Sequence, residues 1–411
     1  MLIALEKLSL IRKDVLSIWA AIGLLVLLCG AWALPSNKLY HQLIIFLLWL
    51  PASLALVQRD FRRSLKQPEF LLFAVFAVWT LLVVMVDGAA GNEIGKIKVT
   101  LYVALTLVGV VLAAQNRTWR IETLLLYSSV VGGLFAGASW IYFYGVSAQP
   151  FSGRLIALGL WDTAIMAAHA VGALLILGLF MMQTQRLKPW MMLLLLVPAT
   201  GYALYLGFSQ TRGVWIGLLA CLLVMVLARP SRLGIGLLLL TVVGAVAIAI
   251  FKMEILLQRG VSYRPELWNG GVRLMLDNWA MGLGFHEYRI LVPQIGQEFK
   301  HPHNLFLDIG VRLGVPGLLL FLLLWLSVGW RGWISRAMPL GQALLALWVF
   351  SGVSLLTDGI GLWFKPNADW LIIWLPIALS AVLACRSAAS QDLPHSGSKG
   401  VAEGGGGIAP K

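Results

Sequence analysis

Residues 252–317 read KMEILLQRGVSYRPELWNGGVRLMLDNWAMGLGFHEYRILVPQIGQEFKHPHNLFLDIGVRLGVPG. Arg259, Arg264, Arg273, Arg289 and Lys300 are interspersed there with Glu254, Glu266, Asp277, Glu287 and Glu298. The stretch also holds His286, His301 and His303, three of the chain's six histidines. On either side the sequence is a succession of apolar runs. A polar segment of this length between such runs is as a rule either functional or disordered. Helical periodicity, tryptophans and turn signals mark this one as folded and functional.

The composition around it decides the class. Hydrophobic residue types make up 60% of the 411 residues and charged types 12%, with a mean hydropathy of +0.86. A soluble domain carries about twice that charged fraction, so the chain reads as an all-α, polytopic membrane protein. The net charge of +13 then follows from basic loops that set orientation, and nucleic acid is not an expected partner. Cys29, Cys221 and Cys385 lie in or at the end of apolar runs, with no metal-like or redox-like spacing.

Apolar runs of roughly 17–25 residues give about twelve spans. They fall near 15–34, 40–57, 69–86, 96–115, 121–143, 160–183, 189–208, 213–228, 233–251, 304–332, 340–357 and 370–385. Residues 1–386 form the membrane unit, 252–303 a large loop between spans nine and ten, and 387–411 a small, Gly-rich, disordered tail. Basic residues occupy alternate loops: Lys7/Arg12/Lys13, Arg59/Arg62/Arg63/Lys66, Arg117/Arg120, Arg186/Lys188, Arg229/Arg232, Arg331/Arg336 and Arg386. These are the cytoplasmic ones, together with both termini. Arg154, Arg212, Arg312, Lys365 and the 252–300 cluster then lie on the opposite face, where the rule disfavours positive charge. For the set, an anionic ligand explains them best.

Within the loop, SYRPELWNGGVRLMLDNW has Pro265 at a first helical position and Trp268, Val272, Met275, Leu276 and Trp279 at helical spacing. Arg264 thus stands at a helix N-terminus, where unpaired N–H groups favour an anion. Asn304 is positioned to cap the tenth span, and Asp308 and Arg312 to pair four residues apart. A continuous helix over 304–332 would be about 43 Å long, more than a ~30 Å bilayer core needs. Gly314, Pro316 and Gly317 predict a break in it.

Arg212 in SQTRGVW, Arg264 in YRPELW and the histidines of HPHN converge on that outer face. Guanidinium groups match phosphate oxygens, and histidine can take a proton from an attacking hydroxyl. Together they suit sugar transfer from a lipid pyrophosphate. The acids are scattered singly and no Asp-x-Asp pair is present, so a metal-free mechanism without cofactors is expected. His301 and His303 lack a third ligand at zinc spacing. His286 reads as surface and His169 as a satisfied polar group inside a span. Most tryptophans read as interface anchors, with Trp161, Trp215, Trp268 and Trp363 as candidates for stacking on sugars.

The succession SQTRGVW, RPELW, GLGFHEY and HPHNLFLDIGVRLGVPGLLLF, over residues 205–325, resembles the core of the O-antigen ligase and polymerase superfamily of bacterial membrane glycosyltransferases. The resemblance implies a glycosyltransferase C-like helical fold in the Gram-negative inner membrane with a periplasmic site. It implies undecaprenyl pyrophosphate-linked O-antigen as donor and lipid A–core as the ligase's acceptor. It places Arg212 and Arg264 on the donor pyrophosphate and His303 at the acceptor, with His301 beside it. SGRLIALG, carrying Arg154, is similar to a further family segment, and Arg273, Trp268, Trp215 and Asn304 complete the candidate set. A ligase is expected, with a polymerase or a protein O-oligosaccharyltransferase of the same superfamily as the near alternative. From another class, a transporter would place its ionisable groups at the bilayer midplane. Here they gather at one edge.

Overall fold

The computed structural model describes residues 2–86, 93–161, 163–186, 188–251, 263–359 and 361–391. The charges expected at 252–262, the loop at 87–92 and the tail beyond 391 lie outside the described residues. The helices run α1 (Leu2–Ala33), α2 (Asn37–Ala55), α3 (Pro68–Val86), α4 (Glu93–Ala114), α5 (Ile121–Val146), α6 (Ala164–Thr184) and α7 (Pro189–Phe208). They continue as α8 (Arg212–Ala228), α9 (Arg232–Phe251), α10 (Arg264–Asp277), α11 (Leu305–Ile334), α12 (Pro339–Thr357) and α13 (Trp374–Gln391).

By length and composition, ten helices among the described residues could cross a membrane. Two shorter apolar ones, Arg212–Ala228 and Gly234–Gly244, fall where spans eight and nine are expected. The chain is therefore a polytopic, mostly helical membrane protein. α13 extends to Gln391, past the point where the sequence places the start of a disordered tail.

Several helix starts follow from local chemistry. Ser36, Thr163 and Asn304 each accept a hydrogen bond from the backbone N–H three residues on, while Pro189, Pro265 and Pro339 occupy first-turn positions where no N–H is missed. Lipid tails give apolar helices no reason to leave them for one another, so close backbone approach and buried polar pairs hold the bundle together. α5 and α7 cross where a Cβ on Gly201 would overlap the Gly133 carbonyl. The buried Glu69 accepts from Arg331 Nε at 2.8 Å and Ser380 Oγ at 3.2 Å, joining α3, α11 and α13. Glu122 accepts from Arg386 at 2.6 Å.

α11 breaks where the sequence expects. Gly314 has φ 68° and ψ 180°. Pro316 has no N–H for the Arg312 carbonyl, and that carbonyl instead receives Gly284 N–H at 2.9 Å. The Val311 carbonyl receives Leu283 N–H at 2.7 Å, and Val315 N–H turns to the Trp279 carbonyl at 2.7 Å. The loop after α10 is thus stitched into the gap in α11, satisfying the backbone groups the break exposes. Gly314→Ala puts a Cβ 2.6 Å from the Trp279 oxygen at a positive φ. It should destabilise the protein by about 1–3 kcal/mol, measured as a lower midpoint of thermal unfolding in detergent.

Two strands too short to read in the sequence cap this end of the bundle. β1 (Ile290–Val292) and β2 (Gln297–Phe299) form an antiparallel hairpin with Ile290 opposite Phe299. Leu267, Tyr288, Ile290, Val292 and Val311 make a small core of their own, with Leu274 and Met275 packed against it. This corrects the face expected for α10. The buried positions are Leu267 and Gly271, whereas Val272, Leu276 and Trp279 are exposed. The hairpin occupies the stripe one residue earlier, and sequence periodicity alone cannot phase two adjacent apolar stripes.

Candidate functional site

The hairpin accounts for part of the charge in the 252–317 stretch. Arg289 pairs with Glu298 at 2.8 Å and Lys300 with Glu287 at 3.4 Å, all on the surface. Arg312 donates Nε to Asp308 at 3.1 Å, as their four-residue spacing predicts, and Asp308 also accepts from Tyr288 Oη at 2.5 Å. His286 and Arg273 are exposed.

Three of the remaining arginines converge, while Lys365 stays exposed away from them. Arg154, Arg212 and Arg264 line one open cavity of about 180 Å³ together with His169, Thr211, Thr357 and Asp358. Arg273 is not brought to it. Arg212 is the first residue of α8 and Arg264 the first of α10, so two helix N-termini add their partial positive charge to the guanidinium groups.

The three arginines are held differently. Arg154 donates Nε to the Ser209 carbonyl at 2.7 Å and Nη2 to Thr211 Oγ1 at 2.9 Å, tying its loop to the start of α8. Arg264 donates Nε to the Thr357 carbonyl at 2.7 Å, fixing α10 to the end of α12. Arg212, half-buried, makes no hydrogen bond or ion pair with a described residue. Its planar donor fork is therefore unused by the protein residues described.

Backbone geometry reinforces the placement. Gln210 and His303 both have φ 50°, each directly before the residue that leads into a helix, Thr211 for α8 and Asn304 for α11. The left-handed region costs a non-glycine residue about 1–2 kcal/mol, and such conformations cluster at functional sites. Asn304 itself is spent on capping, accepting from Leu307 N–H at 3.1 Å.

His303 Nδ1 lies 3.3 Å from Asp358 Oδ1. Burial would raise the Asp358 carboxyl, but the His303 hydrogen bond, the nearby His169 ring and the Gly359 backbone N–H outweigh it and hold it down at about 2. The carboxylate is thus charged throughout the neutral range. The His301 ring packs edge-on to His303 at 4.1 Å. Burial, then the neighbouring His303 ring, pushes it down to about 4. Its Nδ1 is buried without a hydrogen-bond partner.

Among the described residues, no group of three or more His, Cys, Asp or Glu is arranged to hold a metal ion. Of the tryptophans expected near sugar, Trp161 and Trp363 are buried and packed on other aromatic rings, Trp32 for the first and Phe76 and Trp374 for the second. Trp215 donates Nε1 to the Leu206 carbonyl at 2.8 Å and braces α8 against α7. Trp268 is half-buried on α10.

Comparison with known proteins bears on this arrangement. Residues 199–322 match the family model described as O-antigen ligase. The matched segment is similar to an O-antigen ligase domain. An O-antigen ligase of Pseudomonas aeruginosa is 28% identical over 385 residues, covering 92% of this chain and 94% of that relative. The ligase-family match spans Arg212, Arg264, His301 and His303. Arg154, His169, Asp358 and Asp369 stand outside it, and the fold brings the first three to the same cavity.

Sequence reasoning left Asp358 and Asp369 among singly scattered acids, and read His169 as a satisfied polar group, which its contact with Asp369 bears out. His169 Nδ1 lies 3.4 Å from Asp369 Oδ1, across 200 positions of sequence. Asp358 had one visible signal, a lone acid in TDG directly after an apolar run.

Proposed function

We propose that the chain is an O-antigen ligase of the bacterial inner membrane, with a glycosyltransferase C-like fold and a periplasmic active site. It transfers O-antigen polysaccharide from undecaprenyl pyrophosphate to a hydroxyl of lipid A–core. The observation that carries this reading is the meeting of Arg154, Arg212 and Arg264 in one cavity beside the His303–Asp358 pair.

The chemistry follows from charge. A glycosyl diphosphate diester carries two negative charges and gains a third as the anomeric C–O bond breaks. Guanidinium groups and helix N-termini placed where that charge develops lower the barrier. With Nδ1 held by a charged carboxylate, His303 keeps Nε2 free to accept the acceptor's proton. A single displacement from the face opposite the diphosphate inverts the anomeric carbon. The arginines offset the donor's own two charges, and no divalent metal takes part.

The test is reconstitution. Purified protein in nanodiscs is given undecaprenyl pyrophosphate-linked glycan and lipid A–core, with and without EDTA. Glycan should appear on lipid A–core at the same rate in both. Elongation of one donor by another, with lipid A–core left bare, would make it a polymerase. Loss of transfer in EDTA would overturn the metal-independent mechanism.

A further inference from the structure

His169 belongs to no part of the mechanism above, yet it lines the arginine cavity. It sits in the second turn of α6 and is 2% exposed. Its Nδ1 faces Asp369, itself 4% exposed, at 3.4 Å. Among the described residues His169 is the only side chain hydrogen-bonded to that carboxylate. That contact fixes the ring's orientation between Asp369 and the cavity. With Nδ1 engaged, the ring's other nitrogen, on its opposite edge, is left for the cavity.

Counting charge over the cavity gives this a role. Arg154, Arg212 and Arg264 against Asp358 leave two net positive charges, the complement of the two negative charges on an intact donor. The third negative charge exists only once the glycosidic C–O bond has broken, and these residues leave it unbalanced. From this we infer that His169 supplies the proton that neutralises the leaving diphosphate, with Asp369 holding the ring in place. The inference rests on the ligase reading and deepens it.

The step balances. The acceptor oxygen bonds to the anomeric carbon as the C–O bond to the diphosphate breaks, its electron pair staying on phosphate oxygen. The acceptor's proton goes to His303, and the proton on His169 Nε2 goes to the leaving diphosphate. His303 afterwards releases its proton to water and His169 takes one up. An interaction that strengthens only as charge develops raises turnover without tightening donor binding.

That asymmetry is the readout. Full-length protein in nanodiscs would be compared with His169→Gln and Asp369→Asn for kcat, donor KM and affinity for the product, undecaprenyl pyrophosphate. For His169→Gln, kcat should fall ~30-fold or more with donor KM within ~3-fold, and product affinity should drop about tenfold. Asp369→Asn should show the same pattern more weakly, and it carries the test should the first variant not fold. Unchanged kcat in a folded variant, or a rise in donor KM with product affinity intact, overturns the inference alone. Intact protein that neither binds undecaprenyl pyrophosphate nor transfers glycan overturns the ligase reading and this inference with it.

Discussion

Replacing Arg212 with alanine should lower glycan transfer by about 10²–10³-fold, the ~3–4 kcal/mol typical of losing one preorganised donor to a developing negative charge. Arg264→Ala should fall in the same range. The two differ in what else they do. Arg212 makes no side-chain hydrogen bond or ion pair with a described residue, so its removal should shift stability by no more than about 0.5 kcal/mol, the size expected where no such bond is broken. Arg264 anchors α10 through the Thr357 carbonyl, next to Asp358. Its loss frees a part-buried acceptor at the end of α12, and should cost about 1 kcal/mol of stability as well as activity. Lysine at position 212 keeps the charge but not the planar fork, so it should recover only part of the rate. Transfer assays paired with melting curves separate these effects. A fully active Arg212→Ala protein would remove the diphosphate clamp from the mechanism.

The positions of these arginines were largely legible because the membrane makes charge conspicuous. An arginine on the face that disfavours positive charge needs a reason, and Arg154, Arg212 and Arg264 all stood out that way. Most of the spans were legible as apolar runs, ten helices among the described residues being long enough where about twelve are expected, as was the break in α11, where Gly314 and Pro316 remove what a helix requires. Single carboxylates gave no such signal. Asp358 meets His303 across 55 positions and Asp369 meets His169 across 200, pairings that only tertiary structure makes. The hairpin escaped because strands of three residues carry too little alternation to stand out from a loop. Its presence then shifted the packed face of α10 by one position. Trp161 and Trp363 were misjudged because a tryptophan near a span end is equally suited to a sugar, the interface or the core, and packing decides among them.

His303→Ala should cost about 10²–10⁴-fold in kcat, the range for losing a positioned general base. The effect should lie in kcat, with donor KM nearly unchanged, because the arginines still hold the diphosphate. Asp358→Asn tests the pair more sharply. In the proposed mechanism the carboxylate, held down at about 2, accepts from Nδ1–H, which leaves Nε2 to take the acceptor's proton. An amide can donate to Nδ1 instead, which moves the ring proton to Nε2 and blocks the lone pair that must take the acceptor's proton. Activity should fall toward the His303→Ala level although the shape of the site is kept. The sign of the pH effect follows from the same carboxylate. Its folded value lies below the ordinary one, so the stability it contributes is present above the usual carboxylate range and lost only as pH falls toward about 2. Unfolding through Asp358 therefore plays no part in activity measured from pH 5 to 8. His301, pushed down to about 4, is neutral over that range and its Nδ1 has no orienting partner. It lacks the carboxylate that prepares His303, so His301→Gln should cost less than about tenfold, well short of a general base's contribution. Equal losses at both histidines, with Asp358→Asn fully active, would move the base away from His303 and leave Asp358 a purely structural anchor for the start of α11.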